Sequence, residues 1–341
     1  MPAFAAQSGP RITPNGGVSF YANGYYSPNG YGKLKVSVTP VALWANQVAA
    51  GGFDQWHLGT NALAADGARS KNQHAAGSAL DLSYASGSVT ADIGATPLGF
   101  LQQSVIGGVE YAPLLSQNLR LHAVVERRAV TDSLLSYAGA KDPATGTQFG
   151  GVTRTRTNLS LQGQTGVASY YVSGGGGLYR GRNVGNNTEY DAAAGVSVPV
   201  FRAGANEIDL GLNLVYFGFE KNLSGFSLGQ GGYFSPKYFG AALVPITFKA
   251  HPTADFSYSV GGSLGVQTYA VAANPPGWPM ATTAGFGKGG STGLAGGASA
   301  ETDYRVKPNL HIGARGSFQR TGNFTEGTGL LYAHYTFTPS D

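Results

Sequence analysis

Three pairs of carboxylates are spaced so that they could do chemistry: Glu189 with Asp191, Glu207 with Asp209, and Glu301 with Asp303. On an extended strand, residues i and i+2 share a face and lie roughly 7 Å apart. Two carboxyl groups at that separation are the apparatus of glycoside hydrolysis. Each pair abuts a strand end or a short turn, however, where charges at a channel mouth are expected. The 6 His residues, among them His57, His74, His251 and His334, are scattered, with no i, i+4 helical pair to hold zinc. Gly285-Phe286-Gly287-Lys288-Gly289-Gly290 looks like a phosphate loop but fails the pattern. Thr282 stands where the first Gly should be, Gly289 follows the Lys, and no helix comes after. No Gly-x-Ser-x-Gly elbow lies at a strand-to-helix junction. With no Cys, thiolate nucleophiles, thiolate zinc sites and disulfides are excluded. The expectation is a protein without catalytic residues, metal or cofactor.

The elements that position these side chains read as strands. From about residue 16 onward, polar and apolar residues alternate with period two. In 119–128, Leu119, Leu121, Ala123 and Val125 oppose Arg120, His122, Glu126 and Arg128. In 152–162, Arg154, Arg156, Asn158, Ser160 and Gln162 oppose Thr153, Thr155, Leu159 and Leu161. In 206–217, Ile208, Leu210, Leu212, Leu214 and Tyr216 oppose Asp209, Gly211 and Asn213. The same alternation runs through 254–267 and 308–319, the latter with His311 and Arg315 on the polar face.

A soluble sandwich would show this alternation too. Three features favour a barrel in lipid. The strand-like segments run about 10–12 residues, enough to cross a bilayer at a tilt, where ordinary strands have about 5–6. Only 12% of the 341 residues are charged, about half the usual share, yet mean hydropathy is −0.09. That combination suits a wall with lipid on one side and water on the other. Connections also alternate in length. Short turns near 86–88, 113–118, 163–166, 201–205, 251–253 and 307–308 are interleaved with long Gly-rich segments at 45–73, 131–151, 175–187, 218–235 and 268–291. Short periplasmic turns and long external loops are the outer-membrane pattern.

The fold expected is therefore all-β, a transmembrane antiparallel up-and-down barrel of about sixteen strands in the bacterial outer membrane. Fifteen segments read as strands: 16–26, 33–44, 75–85, 88–97, 104–112, 119–130, 152–162, 166–174, 189–200, 206–217, 236–249, 254–267, 292–303, 308–319 and 327–337. Even parity calls for one more before 16–26. Residues 1–15 are accordingly a lead-in or the remnant of a first strand, and 16–341 the barrel. Met1-Pro2-Ala3-Phe4 does not open a basic and then apolar leader, so a removed signal peptide or a piece of a longer protein is expected. In the last segment Leu331, Ala333, Tyr335 and Phe337 share a face, as in a terminal strand read by assembly machinery. A net charge of +4 with no basic stripe gives no footprint for nucleic acid.

One loop stands apart. In Arg127-Arg128-Ala129-Val130-Thr131-Asp132-Ser133-Leu134-Leu135-Ser136-Tyr137-Ala138-Gly139, Thr131 or Asp132 would cap a short helix that Gly139 stops. Asp142-Pro143-Ala144-Thr145-Gly146 then turns the chain. This stretch, with Gly150-Gly151-Val152, resembles the C-terminal outer-membrane domain of the bacterial cellulose synthase C subunit. Gly232-Tyr233-Phe234-Ser235-Pro236 with Tyr238, and Ser37-Val38-Thr39-Pro40-Val41, resemble it as well. The resemblance implies a 16-stranded barrel that exports nascent cellulose, preceded by a periplasmic array of helical repeats. No such array is visible here, so the chain reads as the barrel portion.

A neutral, stiff glucan needs a hydrated path with many weak contacts, because tight sites would stall it. Arg120, His122, Glu126, Arg128, Arg154, Arg156, Asp209, His311 and Arg315 are the expected lining of that path. Tyr137, Phe149, Tyr233 and Phe234 are the expected aromatics at the exit loops, against an alternative of ordinary loop packing. The partners implied are a β-1,4-glucan chain, outer-membrane lipid, the helical-repeat region and the inner-membrane synthase. The alternatives are a general or sugar-specific diffusion porin, or a barrel enzyme acting on lipid or glycan.

Overall fold

The computed structural model describes residues 32–45, 73–142, 145–225, 228–273, 289–321 and 324–335. Its elements in chain order are β1 (Gly32–Ala45), β2 (Gln73–Ser86), β3 (Val89–Leu98), β4 (Val105–Tyr111), β5 (Leu114–Ser116), β6 (Leu119–Ala129), α1 (Leu134–Ala138), β7 (Ala140–Lys141) and β8 (Gln148–Thr165). They continue with β9 (Ala168–Arg182), β10 (Asn187–Ala203), β11 (Asn206–Phe219), β12 (Tyr238–Ala250), β13 (Phe256–Val271), β14 (Gly289–Lys307), β15 (Leu310–Thr321) and β16 (Phe324–Tyr335). Fourteen strands pair antiparallel, each with its neighbour in sequence, in one path from β1 to β16; β5 and β7 are short additions on β6 and β8. This is the up-and-down order of an outer-membrane barrel. It matches fourteen of the fifteen expected strands. The remaining one, 16–26, lies outside the described residues, as do residues 1–15, His57, Gly285 to Lys288 and Phe337.

Alternation has the physical outcome expected of it. Ile93, Val105, Val109, Val125, Leu159, Val172, Leu214, Leu264 and Leu294 are all exposed apolar side chains on the outward face. In water this would be untenable; against acyl chains it is the stable arrangement. Tyr190, Tyr216 and Tyr238 mark one edge of that belt, and Tyr84, Tyr111, Tyr170, Phe201 and Tyr304 the other. Amphipathic rings favour such interfaces. Strands such as β8, with 18 residues, and β14, with 19, run past the belt.

One expected loop is a strand. The segment 175–187 reads as a connection because of its glycines, but β9 continues to Arg182 and only 183–186 connect it to β10. Gly174 to Gly177 pair in register with both neighbours. The helix cap also differs. Ser133, not Thr131 or Asp132, caps α1: its hydroxyl accepts from the Ser136 N–H at 3.1 Å, while its own N–H donates to Ser136 Oγ at 2.9 Å. This reciprocal capping box satisfies two otherwise orphaned donors. Gly139, at φ 79°, ends the helix as expected, donating to the Leu134 and Leu135 carbonyls.

The dry core sits in the outer loops rather than inside a sandwich. Leu134, Leu135, Tyr137, Ala138, Ala140 and Phe149 pack with Phe100 of the β3–β4 turn, and Leu228 of the β11–β12 loop packs against them. A second cluster joins Val130, Val152, Tyr179, Val184, Phe219, Leu223 and Tyr233. The two loops are tied directly, because the Phe234 N–H donates to Asp132 Oδ2 at 3.0 Å.

Candidate functional site: the inward wall and its outer mouth

The polar positions of adjacent strands stand side by side on the inward face. On β6, β8 and β10 they carry a ladder of charges. Arg128 grips the Asp92 carboxylate through both terminal nitrogens, one at 2.6 Å, and donates through Nε to Glu126 at 3.1 Å. Arg154 lies 3.7 Å from Glu126 on one side and 3.7 Å from Glu189 on the other. Arg156 holds Asp191 with two bonds of 3.1 and 2.6 Å. Tyr179 donates its hydroxyl to Glu189 at 2.8 Å. Acid and base thus alternate from β3 to β10.

The glycines of β9 make this ladder possible. Arg154 and Arg156 are on β8 and their partners Glu189 and Asp191 on β10, so both pairs must cross β9. At the crossing, the inward positions are Gly175 and Gly177, which pair with Asp191 and Glu189. A Cβ on Gly177 would meet Arg154 Cγ and Glu189 Oε2, each at 3.2 Å. One on Gly175 would meet the Thr157 carbonyl oxygen at 2.6 Å and Asn158 Nδ2 at 2.9 Å. The run is a trough through which side chains reach across a strand.

The other expected lining residues form separate groups near the short turns. His122 Nδ1 meets Glu110, and Arg120 donates to the Ala112 carbonyl. Asp209 accepts from Lys249, with Glu207 beside it. Arg315 binds Glu301 through two nitrogens, and His311 Nδ1 lies 2.7 Å from Asp303. Each carboxylate of the three sequence pairs is therefore engaged by a neighbour. The structure brings Glu126, Arg128, Arg154 and Arg156 together and keeps Arg120, His122, Asp209, His311 and Arg315 apart from them.

Asp92, Glu110, Tyr179 and Lys249 complete these groups and are not among the expected lining. The signal was present for the first two: period two sets Asp92 opposite Ile93 and Glu110 opposite Val109, both exposed outward.

At the outer mouth the four expected aromatics divide. Tyr137, Phe149 and Tyr233 are buried, with exposures of 3%, 0% and 1%, which makes them packing residues. Burial pushes the Tyr137 and Tyr233 phenols up from their ordinary value. Phe234 is only half-buried and meets an inward-facing group that the sequence reading missed. Phe217 and Phe239 stack at 4.8 Å between ring centroids, and Phe234 sets its edge against Phe217, Phe239 and Tyr269 at 6.2, 6.3 and 5.5 Å. The doublet Tyr216-Phe217, which puts an aromatic on each face at once, was the available clue.

This wall has known counterparts. A solved structure described as "Bacterial polysaccharide outer membrane secretin" superposes with a TM-score of 0.51 at 11% identity, covering 88% of each chain. It shares the fold. Among sequence relatives, "Cellulose synthase 2 operon protein C" of Komagataeibacter xylinus is 37% identical over 317 residues, which is 89% of this chain and 24% of that protein. "Cellulose synthase operon protein C" of Salmonella typhimurium is 32% identical over 262 residues, 72% of this chain and 22% of that protein. The chain thus spans about a quarter of the length of the curated relatives it matches. The apolar belt, the barrel fold and the family together place it in the bacterial outer membrane. Residues 20–338 match the family described as "Cellulose synthase operon protein C C-terminus", and the chain belongs to that family.

Proposed function

We propose that this barrel is the outer-membrane channel through which nascent cellulose leaves the cell. The observation that carries the reading is the largely neutralised ladder, four carboxylates against three guanidiniums. Asp92, Glu126, Glu189 and Asp191 are engaged by Arg128, Arg154 and Arg156. A wall of paired charges keeps its hydrogen-bonding groups but has a weak net field, which suits a neutral polymer. A pathway for an anionic polymer would instead hold a surplus of one sign. The half-exposed Phe234 beside Phe217, Phe239 and Tyr269 offers ring faces against which pyranose rings could slide.

On this reading the barrel is not an enzyme and uses no cofactor. The glucan is pushed by the inner-membrane synthase and reaches the barrel past a periplasmic helical-repeat region of the same protein. Deleting residues 20–338 is expected to abolish cellulose secretion while glucan synthesis by isolated membranes continues. Normal secretion from such a strain would overturn the proposal. A diffusion porin is the second reading, favoured by the α1 loop packed at the outer mouth. Steady small-sugar permeation through the purified barrel at general-porin rates would support it.

A further inference from the structure

The charges on the strands are segregated by face. Where alternation can be followed through exposed outward neighbours, every strand carboxylate with a described side chain points inward. Among described side chains the outward strand charges are Lys307, which a β-bulge pairs with outward Leu310 at the short-turn end, and a group of arginines at the other end of the barrel: Arg127 on β6, Arg180 and Arg182 on β9, and Arg320 on β15. That end bears the long loops and the Tyr190, Tyr216 and Tyr238 edge of the belt.

Arg127 and Arg180 are close neighbours on this surface. Arg127 pairs across β6 and β8 with Thr155, and Arg180 across β8 and β9 with Thr153. They are two strands apart and offset by two residues along β8, about 12 Å at ordinary strand spacing and rise, within the combined reach of two long side chains. Thr155 is exposed between them. Neither arginine has an ion-pair partner among the described residues. Below them the outward face is apolar, with Val125, Leu159, Val172 and Leu178 exposed.

An arginine facing hydrocarbon is costly at the membrane midplane and nearly free at its edge. Guanidinium groups at that edge match phosphate with paired hydrogen bonds. We propose that Arg127, Thr155 and Arg180 form a binding site for the phosphorylated head group of an outer-leaflet lipid, whose acyl chains lie against Val125, Leu159 and Leu178. The occupant is a lipid rather than a free anion, because the charged rim and the apolar belt are one continuous surface. The site rests on the sidedness of the barrel and is independent of what the channel carries.

The test is retention of lipid A by the purified full chain in a neutral detergent, read by native mass spectrometry and by titration. Wild type is compared with R127Q, R180Q and the double variant, with R202Q as a control at the opposite end. Loss of at least about tenfold in affinity is expected for the double variant, as charged hydrogen bonds are removed. Each single variant is expected to fall between it and wild type, which keeps the comparison intact if the double variant does not fold. Dephosphorylated lipid A should bind wild type no better than phosphorylated lipid A binds the double variant, and inorganic phosphate should not compete. Equal binding by wild type and the arginine variants, or undiminished binding of the dephosphorylated lipid, would overturn the proposal. Full displacement by inorganic phosphate at the lipid's own concentration would overturn it too, by making the site one for free anions.

Discussion

Two glycine-rich stretches of the wall have similar composition and opposite uses. In β9, Gly175 and Gly177 lie beneath ion pairs that span from β8 to β10, and their missing side chains are what lets those pairs close. In β13 and β14, the inward positions Gly261, Ser263, Gly293 and Ser299 have small residues too. An added Cβ at Gly293 meets nothing within 4 Å. One arc of the wall is tied across by charge and the other is lined by small residues. The contrast teaches that a glycine in a barrel strand has to be read from the strands on both sides of it. Local chain preference alone would call both stretches weak strands.

The largest effect should come from filling the tied arc. Gly175→Val would set a branched side chain against the Thr157 carbonyl and the Asp191 carboxylate, which an added Cβ already meets at 2.6 and 3.2 Å. Overpacking of this kind costs about 1–3 kcal/mol, and loss of the Arg156 to Asp191 pair adds to it. A clear drop in the temperature at which the folded barrel loses its characteristic gel mobility is expected. An unchanged midpoint would mean that the trough is incidental.

How far the fold was legible follows from the same contrast. Period two is local, and it exposed the wall: Ile208, Leu210, Leu212 and Leu214 against Asp209, Gly211 and Asn213 are one strand seen edge-on. The trough was not legible. Gly174 to Gly177 have no side chains to alternate, so the segment loses its strand signal and takes on a loop signal. Its meaning lies in Arg154 and Glu189, which are 35 positions apart in the chain and meet only once register is set. Register is non-local and is fixed by the whole sheet. The same limit applies at the mouth. Leu134, Leu135 and Gly139 announced a capped helix, but the Asp132 contact to Phe234 joins loops 102 residues apart, and that contact took Asp132 away from the cap.

A smaller effect should come from cutting the ladder while leaving its space alone. Arg154→Gln removes the cation between Glu126 and Glu189, whose side chains are 12% and 9% exposed. Glu126 keeps Arg128, while Glu189 keeps only the Tyr179 hydroxyl among its described polar partners. At 3.7 Å these contacts are ion pairs rather than hydrogen bonds, and with Arg154 partly exposed the expected loss is about 1 kcal/mol. The inward face also becomes more acidic by one charge. A shift of the reversal potential toward cation selectivity should accompany a modest drop in the unfolding midpoint. A stability loss as large as that of Gly175→Val would mean that the charge ladder, and not the space over the glycines, dominates the stability of this arc.

The smallest effect on stability, and the sharpest on passage, belongs to the open arc. Gly293→Ala adds a methyl group where nothing stands within 4 Å. Replacing Gly by Ala at a position without positive φ is neutral to stabilising by up to about 1 kcal/mol, because it restricts the unfolded chain. The unfolding midpoint should therefore hold or rise slightly, opposite in sign to Gly175→Val. Gly293→Phe goes further, since on the proposed function a ring at this inward position would stand in the way of the exported glucan. Its midpoint should stay near wild type while cellulose secretion falls in proportion to the narrowing. A folded Gly293→Phe barrel that secretes at the wild-type rate would show that the polymer keeps to another part of the cross-section. A destabilised Gly293→Ala barrel would erase the distinction between the two glycine stretches, because both would then be tightly packed.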